Sequence, residues 1–352
     1  PNEVLTLAIL INPFRFAATG SPPHWRELGR DTLGSADNDI TVSFTAKPYL
    51  MILCSTISTG NIDGALRFNT DTGTNYATTR SENGGTYITS NTTNQTKLIL
   101  NRGHVAYPNT TFSVSNMNNN STQEKLIIGH SVANVNGASN APDRTEMVGK
   151  WAKTPLAQVT SVTCNNSDSG SWDTDSEVVV LGYDPADTTG TSVWEELKSV
   201  DTSTAHDVID TGTFTNKKYL WLQCFVKGDG NANGSIIFNT DTSNTGYAMR
   251  RSYNAANEST YAGTNPAGSE GSYDGYGATG AGKYYNMFIV NDGSNEASWI
   301  SHINIIEGAS NPHRVEWVGK WDLTDAITRI RIKNQDAGTD YDESSIKVWG
   351  FN

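Results

Sequence analysis

The stretch Gly137-Ala-Ser-Asn-Ala-Pro-Asp-Arg-Thr-Glu-Met-Val-Gly-Lys-Trp151 decides how this chain is read, because it occurs twice. It returns, one residue shorter, as Gly308-Ala-Ser-Asn-Pro-His-Arg-Val-Glu-Trp-Val-Gly-Lys-Trp321. The correspondence continues upstream. Phe44-Thr-Ala-Lys-Pro-Tyr-Leu50 is matched by Phe214-Thr-Asn-Lys-Lys-Tyr-Leu220, and Phe68-Asn-Thr-Asp-Thr72 by Phe238-Asn-Thr-Asp-Thr242, each 170 residues on. Solenoid and propeller units repeat at roughly 20 to 50 residues, so a period this long makes each copy a whole domain. The first copy is placed at 25–186 and the second at 187–352, with residues 1–24 an N-terminal arm outside the repeat. The copies open on Trp25-Arg-Glu-Leu28 and Trp194-Glu-Glu-Leu197, and a short polar stretch, Tyr183 to Ser192, joins them.

Composition fixes the class. Asn, Thr, Ser and Gly are abundant, charged residues are only 18% of the 352, and long Leu/Glu/Lys/Ala runs are nearly absent. The missing set builds helices, whereas the abundant set supplies turns and polar strand faces. The expectation is all-β: two tandem homologous antiparallel sandwiches, jelly-roll-like, each of some eight short strands, with a closed barrel as the alternative. Period-two alternation supports it at Arg329-Ile-Arg-Ile-Lys333 and at Ile346 and Val348. Continuous apolar runs at Tyr219–Val226 and Lys125–Ile128 predict strands covered on both faces. Asp63-Gly64, Asn233-Gly234, Asn83-Gly-Gly85 and Asp292-Gly293 are expected turns. The copies differ most between Ser252 and Lys283, a Gly/Ser/Tyr-rich stretch read as a variable loop opposite Thr86–Thr96.

A net charge of −12 disfavours a nucleic-acid groove or an anionic membrane surface, both of which need clustered Lys and Arg. No apolar run approaches the roughly 18 residues of a membrane span. Val4–Ile11 lacks the basic leader of a secretory signal and reads as a strand or anchoring arm. Cys54 and Cys224 occupy one slot in the two copies, and Cys164 falls where the second copy has Ile332. Three buried thiols acting as small hydrophobes is one reading, and a Cys54–Cys164 bridge is the other.

Arg144-Thr-Glu-Met-Val-Gly-Lys-Trp151 and Arg314-Val-Glu-Trp-Val-Gly-Lys-Trp321 are each followed by an alternating strand, an Asp/Gly loop and a closing strand ending at Gly182 or Gly350. This pattern resembles the repeated β-sandwich module of structural proteins from marine tailed bacteriophages. The resemblance covers both copies but not residues 1–24, and it carries no catalytic signature. It implies a component of the virion, in a tail appendage or fibre or on the capsid surface, partnered by other virion proteins and copies of itself.

Catalytic patterns are missing. The histidines at 24, 104, 130, 206, 302 and 313 show no zinc-type spacing and no cysteine companions, and there is neither a nucleophile elbow nor a phosphate loop. Asp229–Gly234 resembles half a calcium loop, but Thr240 stands where a bidentate Glu is required, so a hairpin turn is the better reading. Two acidic loops, with Asp173 and Asp175 in one and Asp340 and Asp342 in the other, read either as calcium ligands or as solvated charges. The recurrent pairs Arg80/Arg250 and Arg144/Arg314 suggest salt bridges inside each sandwich, and Trp151, Trp317 and Trp321 suggest core packing.

Two sets of residues are binding candidates. The arm offers Val4, Leu5, Leu7, Ile9, Phe14 and Phe16 for strand addition to a neighbouring subunit. The divergent stretch offers Tyr253, Tyr261, Tyr273 and Tyr276, whose ring faces and hydroxyls suit a sugar or a protein partner, or else order the loop against its own domain. The expected function is a non-enzymatic virion structural protein without a cofactor. A carbohydrate- or receptor-binding module acting on a host surface glycan is the alternative, and a polysaccharide-cleaving enzyme ranks last.

Overall fold

The computed structural model describes residues 24–352 apart from 84–91, 103–108, 167, 229–232, 244, 254–258, 263–270, 274–281, 308–310 and 337–339. The first copy forms twelve strands: β1 (Arg26–Thr32), β2 (Asp39–Ser43), β3 (Tyr49–Ser58), β4 (Asp63–Phe68), β5 (Tyr76–Glu82), β6 (Thr92–Gln95), β7 (Leu98–Arg102), β8 (Asn109–Asn118), β9 (Lys125–Val135), β10 (Asp143–Trp151), β11 (Ser161–Asn166) and β12 (Glu177–Tyr183). The second copy repeats them as β13 (Glu195–Thr202), β14 (Val208–Asp210), β15 (Tyr219–Gly228), β16 (Gly234–Phe238), β17 (Tyr247–Tyr253), β18 (Ser259–Ala262), β19 (Ser272–Tyr273), β20 (Gly282–Val290), β21 (Ala297–Glu307), β22 (Asn311–Trp321), β23 (Ile330–Asn334) and β24 (Tyr341–Phe351).

In each copy an eight-stranded antiparallel sheet faces a four-stranded one. The orders are β1-β12-β3-β8-β9-β10-β5-β6 over β2-β11-β4-β7, and β13-β24-β15-β20-β21-β22-β17-β18 over β14-β23-β16-β19. Strands that alternate between the sheets, with first beside last in the larger one, make interleaved Greek keys: jelly rolls, each extended by a four-strand flap. Even the irregularities recur, since β1 slips register between Glu27 and Gly29, and β13 between Glu196 and Lys198. Twelve strands per copy exceed the expected eight because short edge strands lack long β-branched runs. The divergent stretch read as a loop holds two of them, β18 and β19. Asp292-Gly293 does link two strands, with Gly293 at φ +75°, whereas Asp63 and Gly64 lie within β4.

The recurring Phe-Asn-Thr-Asp motif is explained by the core. Phe68 and Phe238 are fully buried, and their backbone N–H groups donate to the hydroxyls of Tyr76 and Tyr247 at 2.9 and 3.0 Å. Asn69 and Asn239 take the left-handed conformation (φ 50° and 53°), which short polar side chains tolerate. Asp71 and Asp241 each accept the indole N–H of Trp151 or Trp321 at 2.7 Å. This repeated segment is structural, a turn knotted to the core by hydrogen bonds, and Trp151, Trp317 and Trp321 are core residues as expected. The three cysteines are buried free thiols, with Cys54 and Cys164 meeting across the first core. Cys164 and Ile332 hold equivalent register positions, opposite Leu66 and Ile236.

A third apolar cluster joins the copies. Met51, Leu53, Phe112, Val114, Val132, Val179 and Leu181 on the outer face of the first large sheet pack against Tyr219, Trp221, Val290, Ile300, Val318, Trp349 and Phe351 of the second. Trp194, which opens the second copy, locks it, edge-on to Phe351 with centroids 4.7 Å apart. Burying some fifteen apolar side chains between sheets makes this a second inter-sheet core, not a loose domain contact.

Candidate functional site

Two features on the outer face of the first large sheet are not accounted for by folding. The first is a bare apolar surface. Successive residues of a strand point to opposite faces, so Leu126 and Ile128 of β9 and Val148 of β10 face away from the first core. They are 62%, 58% and 54% exposed, and Tyr49 beside them is 48% exposed. Lys125–Ile128 was expected to be covered on both faces, and here that expectation fails. The sandwich supplies a partner sheet to one face, and the second copy's sheet covers other rows of the other face. A groove of about 700 Å³ runs over this surface, lined among others by Trp25, Tyr49, Tyr183, Leu126 and Ile128. A second, of about 540 Å³, continues it past Val148. One polar group there is engaged locally: Asn118 accepts the Leu126 N–H at 2.6 Å and donates to the Glu124 carbonyl at 3.1 Å.

The second feature is a polar cluster at the mouth of the cleft between the sandwiches. His130 pairs across strands with Glu146, and His302 pairs with Glu316, so the repeat generates the same pair twice. The two pairs meet. The Nε2 atoms of His130 and His302 lie 3.1 Å apart, with the rings edge to face. Arg144 donates to Glu146 at 2.6 Å and also to Glu316 of the other sandwich, while Arg314 donates to Glu316 at 2.8 Å. Burial, helped by a hydrogen bond to Glu316, pushes the Glu146 carboxyl up to about 8 against the pull of Arg144. Burial and the neighbouring His302 push His130 down to about 3, which keeps its imidazole neutral.

The expectation of ion pairs confined to each sandwich is therefore corrected. Arg80 does pair with Glu82 of its own sheet at 2.9 Å. Arg250, its counterpart, crosses to Asp143 at 3.3 Å and to the Pro142 carbonyl at 2.7 Å. Because the copies pack face to face, equivalent side chains meet different surroundings. Glu177 is a further cross-link, accepting from the Tyr219 hydroxyl at 2.7 Å and pairing with Lys218 at 3.1 Å.

The other candidates are dispersed. Val4, Leu5, Leu7, Ile9, Phe14 and Phe16 lie outside the described residues, as do Tyr276 and the Asp229 turn. Tyr253 ends β17 and stacks on His313 with centroids 5.2 Å apart, so its ring has a partner inside its own sandwich. Tyr261 and Tyr273 sit on the edge strands β18 and β19. Asp173 accepts the N–H of Thr174, and Asp342 is the second residue of β24. Among the described residues, the ligating side chains that converge in a group of three are His130, Glu146 and His302, not the acidic-loop residues Asp173, Asp175, Asp340 and Asp342. Sequence spacing missed this group because its histidines are 172 residues apart and belong to different copies. Their equivalence in the repeat, each at the sixth of eleven positions in the strand before Arg-x-Glu, was the signal available.

No protein family's sequence profile matches the chain, and no curated protein is similar to it. A crystal structure of a Pseudomonas aeruginosa FadL homologue aligns over 90% of this chain and 91% of that one, at 7% identity and a TM-score of 0.09, a value that carries no argument about fold or function.

Proposed function

We propose that this chain is a non-enzymatic structural component of a tailed-phage virion, built to assemble through the outer face of its first sandwich. The resemblance of the duplicated module to phage structural proteins supports the setting. One observation supports the assembly role: Leu126, Ile128, Val148 and Tyr49 form an uncovered apolar surface continuous with the sheet face that already binds the second sandwich. The occupant is a second copy of this chain. The counterparts Ile300, Val318 and Tyr219 are 3%, 2% and 1% exposed because a sandwich of the same kind lies on them. A protein face suits the surface, because exposed aliphatic side chains rather than charged groups dominate it. The arm, with Val4–Ile11, Phe14 and Phe16, is a second contact to neighbouring subunits.

Particles purified from an infected host test the setting. Mass spectrometry should find the chain in them. Ile128→Asp/Val148→Asp and a deletion of residues 1–24 should each fold yet fail to incorporate. Absence of the chain from particles overturns the virion reading. Binding of the purified chain to host glycans, lost in Tyr49→Ala, would favour the carbohydrate-binding module instead.

A further inference from the structure

We propose that the cleft between the sandwiches is a binding site for one divalent transition-metal cation of the zinc class, held by His130 and Glu146 of the first copy and His302 of the second. The three ligating atoms all lie within 4.8 Å of one another. Two imidazole nitrogens on one tetrahedral zinc ion, each about 2.0 to 2.1 Å from it, stand about 3.3 Å apart. Here the Nε2 atoms stand at 3.1 Å with the ring centroids 4.3 Å apart, so the donor atoms are already close to that spacing and the rings must turn for their lone pairs to converge on the ion. The nearer carboxylate oxygen of Glu146 is 3.9 Å from the His130 Nε2, a gap that side-chain rotation closes. Glu316, whose two oxygens are held by Arg144 and Arg314, lies outside the ligand group and orients Glu146 by a hydrogen bond.

The charges select the kind of ion. At most two negative charges, on Glu146 and Glu316, face the guanidiniums of Arg144 and Arg314, so no net negative charge is left to attract a hard cation. Affinity must come from the imidazoles, which favour zinc and its neighbours over calcium or magnesium. The arginines also act as outer-sphere partners that fix the carboxylates, as second-shell groups do in metal sites. A groove of about 330 Å³, lined among others by Ile128, Val148 and Arg314, gives the ion a route in from solvent. Since the ligands come from β9, β10 and β21, the site is absent from either sandwich alone, and the ion clamps the two together. This inference is independent of the virion reading, because it concerns the pairing of the copies within one chain.

The test uses the full chain stripped of metal and titrated with zinc chloride by calorimetry, then with cobalt(II) followed by visible absorption. One equivalent should bind and raise the melting temperature. The cobalt spectrum should show ligand-field bands of imidazole and carboxylate ligation without thiolate charge transfer, since Cys54, Cys164 and Cys224 are buried away from the cleft. His130→Ala and His302→Ala should each weaken binding by roughly a hundredfold or more, the upper end of what outer-sphere changes cost. Absence of saturable binding at one equivalent, or an affinity unchanged from that of the unaltered chain in either variant, overturns the proposal. Should a variant fail to fold without metal, the cobalt spectrum of the unaltered chain decides, and an aqua-ion spectrum refutes the site.

Discussion

The outer sheets of the two sandwiches share strands, register and much of their sequence, yet they live in different surroundings. Val148 and Val318 stand at the same place in Met/Trp-Val-Gly-Lys-Trp, and each pairs with an isoleucine, Ile128 or Ile300. The second pair is sealed beneath the first sandwich, and the first pair faces solvent. The same holds for charge: Lys320 and Glu296 are a buried pair at 3.3 Å, whereas Lys150 and Glu124, their counterparts, are an exposed pair at 3.2 Å. An apolar row retained where nothing covers it is the signature of an interface, because isolated soluble domains place polar residues there. Some positions have diverged with their surroundings. Asn116 and Phe288 are equivalent neighbours of Met51 and Trp221, and the aromatic is the member packed against the inter-sandwich cluster.

The largest expected effect breaks this comparison directly. Ile300→Asp places an unpaired carboxylate in the inter-sandwich core and should cost about 3 to 5 kcal/mol in urea unfolding. Ile128→Asp, the same change at the equivalent bare position, should alter stability by no more than about 0.5 kcal/mol. Equal losses would mean that the two faces are covered alike.

A smaller effect sharpens the part the copies share. Asp71→Ala and Asp241→Ala each orphan an indole N–H in the core, of Trp151 and Trp321 respectively, and should each cost about 1 to 3 kcal/mol. Similar midpoint shifts in chemical denaturation are the expected result, and a loss confined to one copy would show that the motif is not equally structural in both.

The smallest effect concerns the seam. Burial raises the Glu177 carboxyl, but hydrogen bonds from Thr32 and Tyr219 and the charges of Lys218 and Arg30 outweigh it, leaving the group below its ordinary value of 4.5. A depressed carboxylate stabilises the fold above the unfolded-state value, and that contribution is lost as pH falls through the folded-state value. Glu177→Gln should therefore cost about 1 kcal/mol at pH 7, and its deficit against the unaltered chain should shrink below about pH 4. A deficit that is constant with pH would remove the carboxylate from the seam's energetics.

Much of the architecture was legible in the residues. The repeat fixed the duplication, and composition with period-two patterning fixed an all-β sandwich, because those signals are local. The edge strands β6, β18 and β19 were not legible, since short Ser/Thr-containing segments acquire strand geometry only from a neighbour's hydrogen bonds. Lys125–Ile128 was misjudged for a related reason. A continuous apolar run reports that both faces want cover but does not say whether the chain itself supplies it. The His130–His302 cluster was hidden altogether, because it arises where two copies of one strand pair meet, and no spacing within one copy encodes that encounter.

The most direct test of the bare face is the mass of the purified full chain by light scattering across a concentration series. A self-associating species is expected, one that Ile128→Asp/Val148→Asp reduces to the monomer without loss of fold. A strictly monomeric unaltered chain, or an assembly indifferent to that double substitution, would contradict it. If the chain is monomeric but begins to associate once residues 1–24 are removed, its own arm, not a second copy, covers the face.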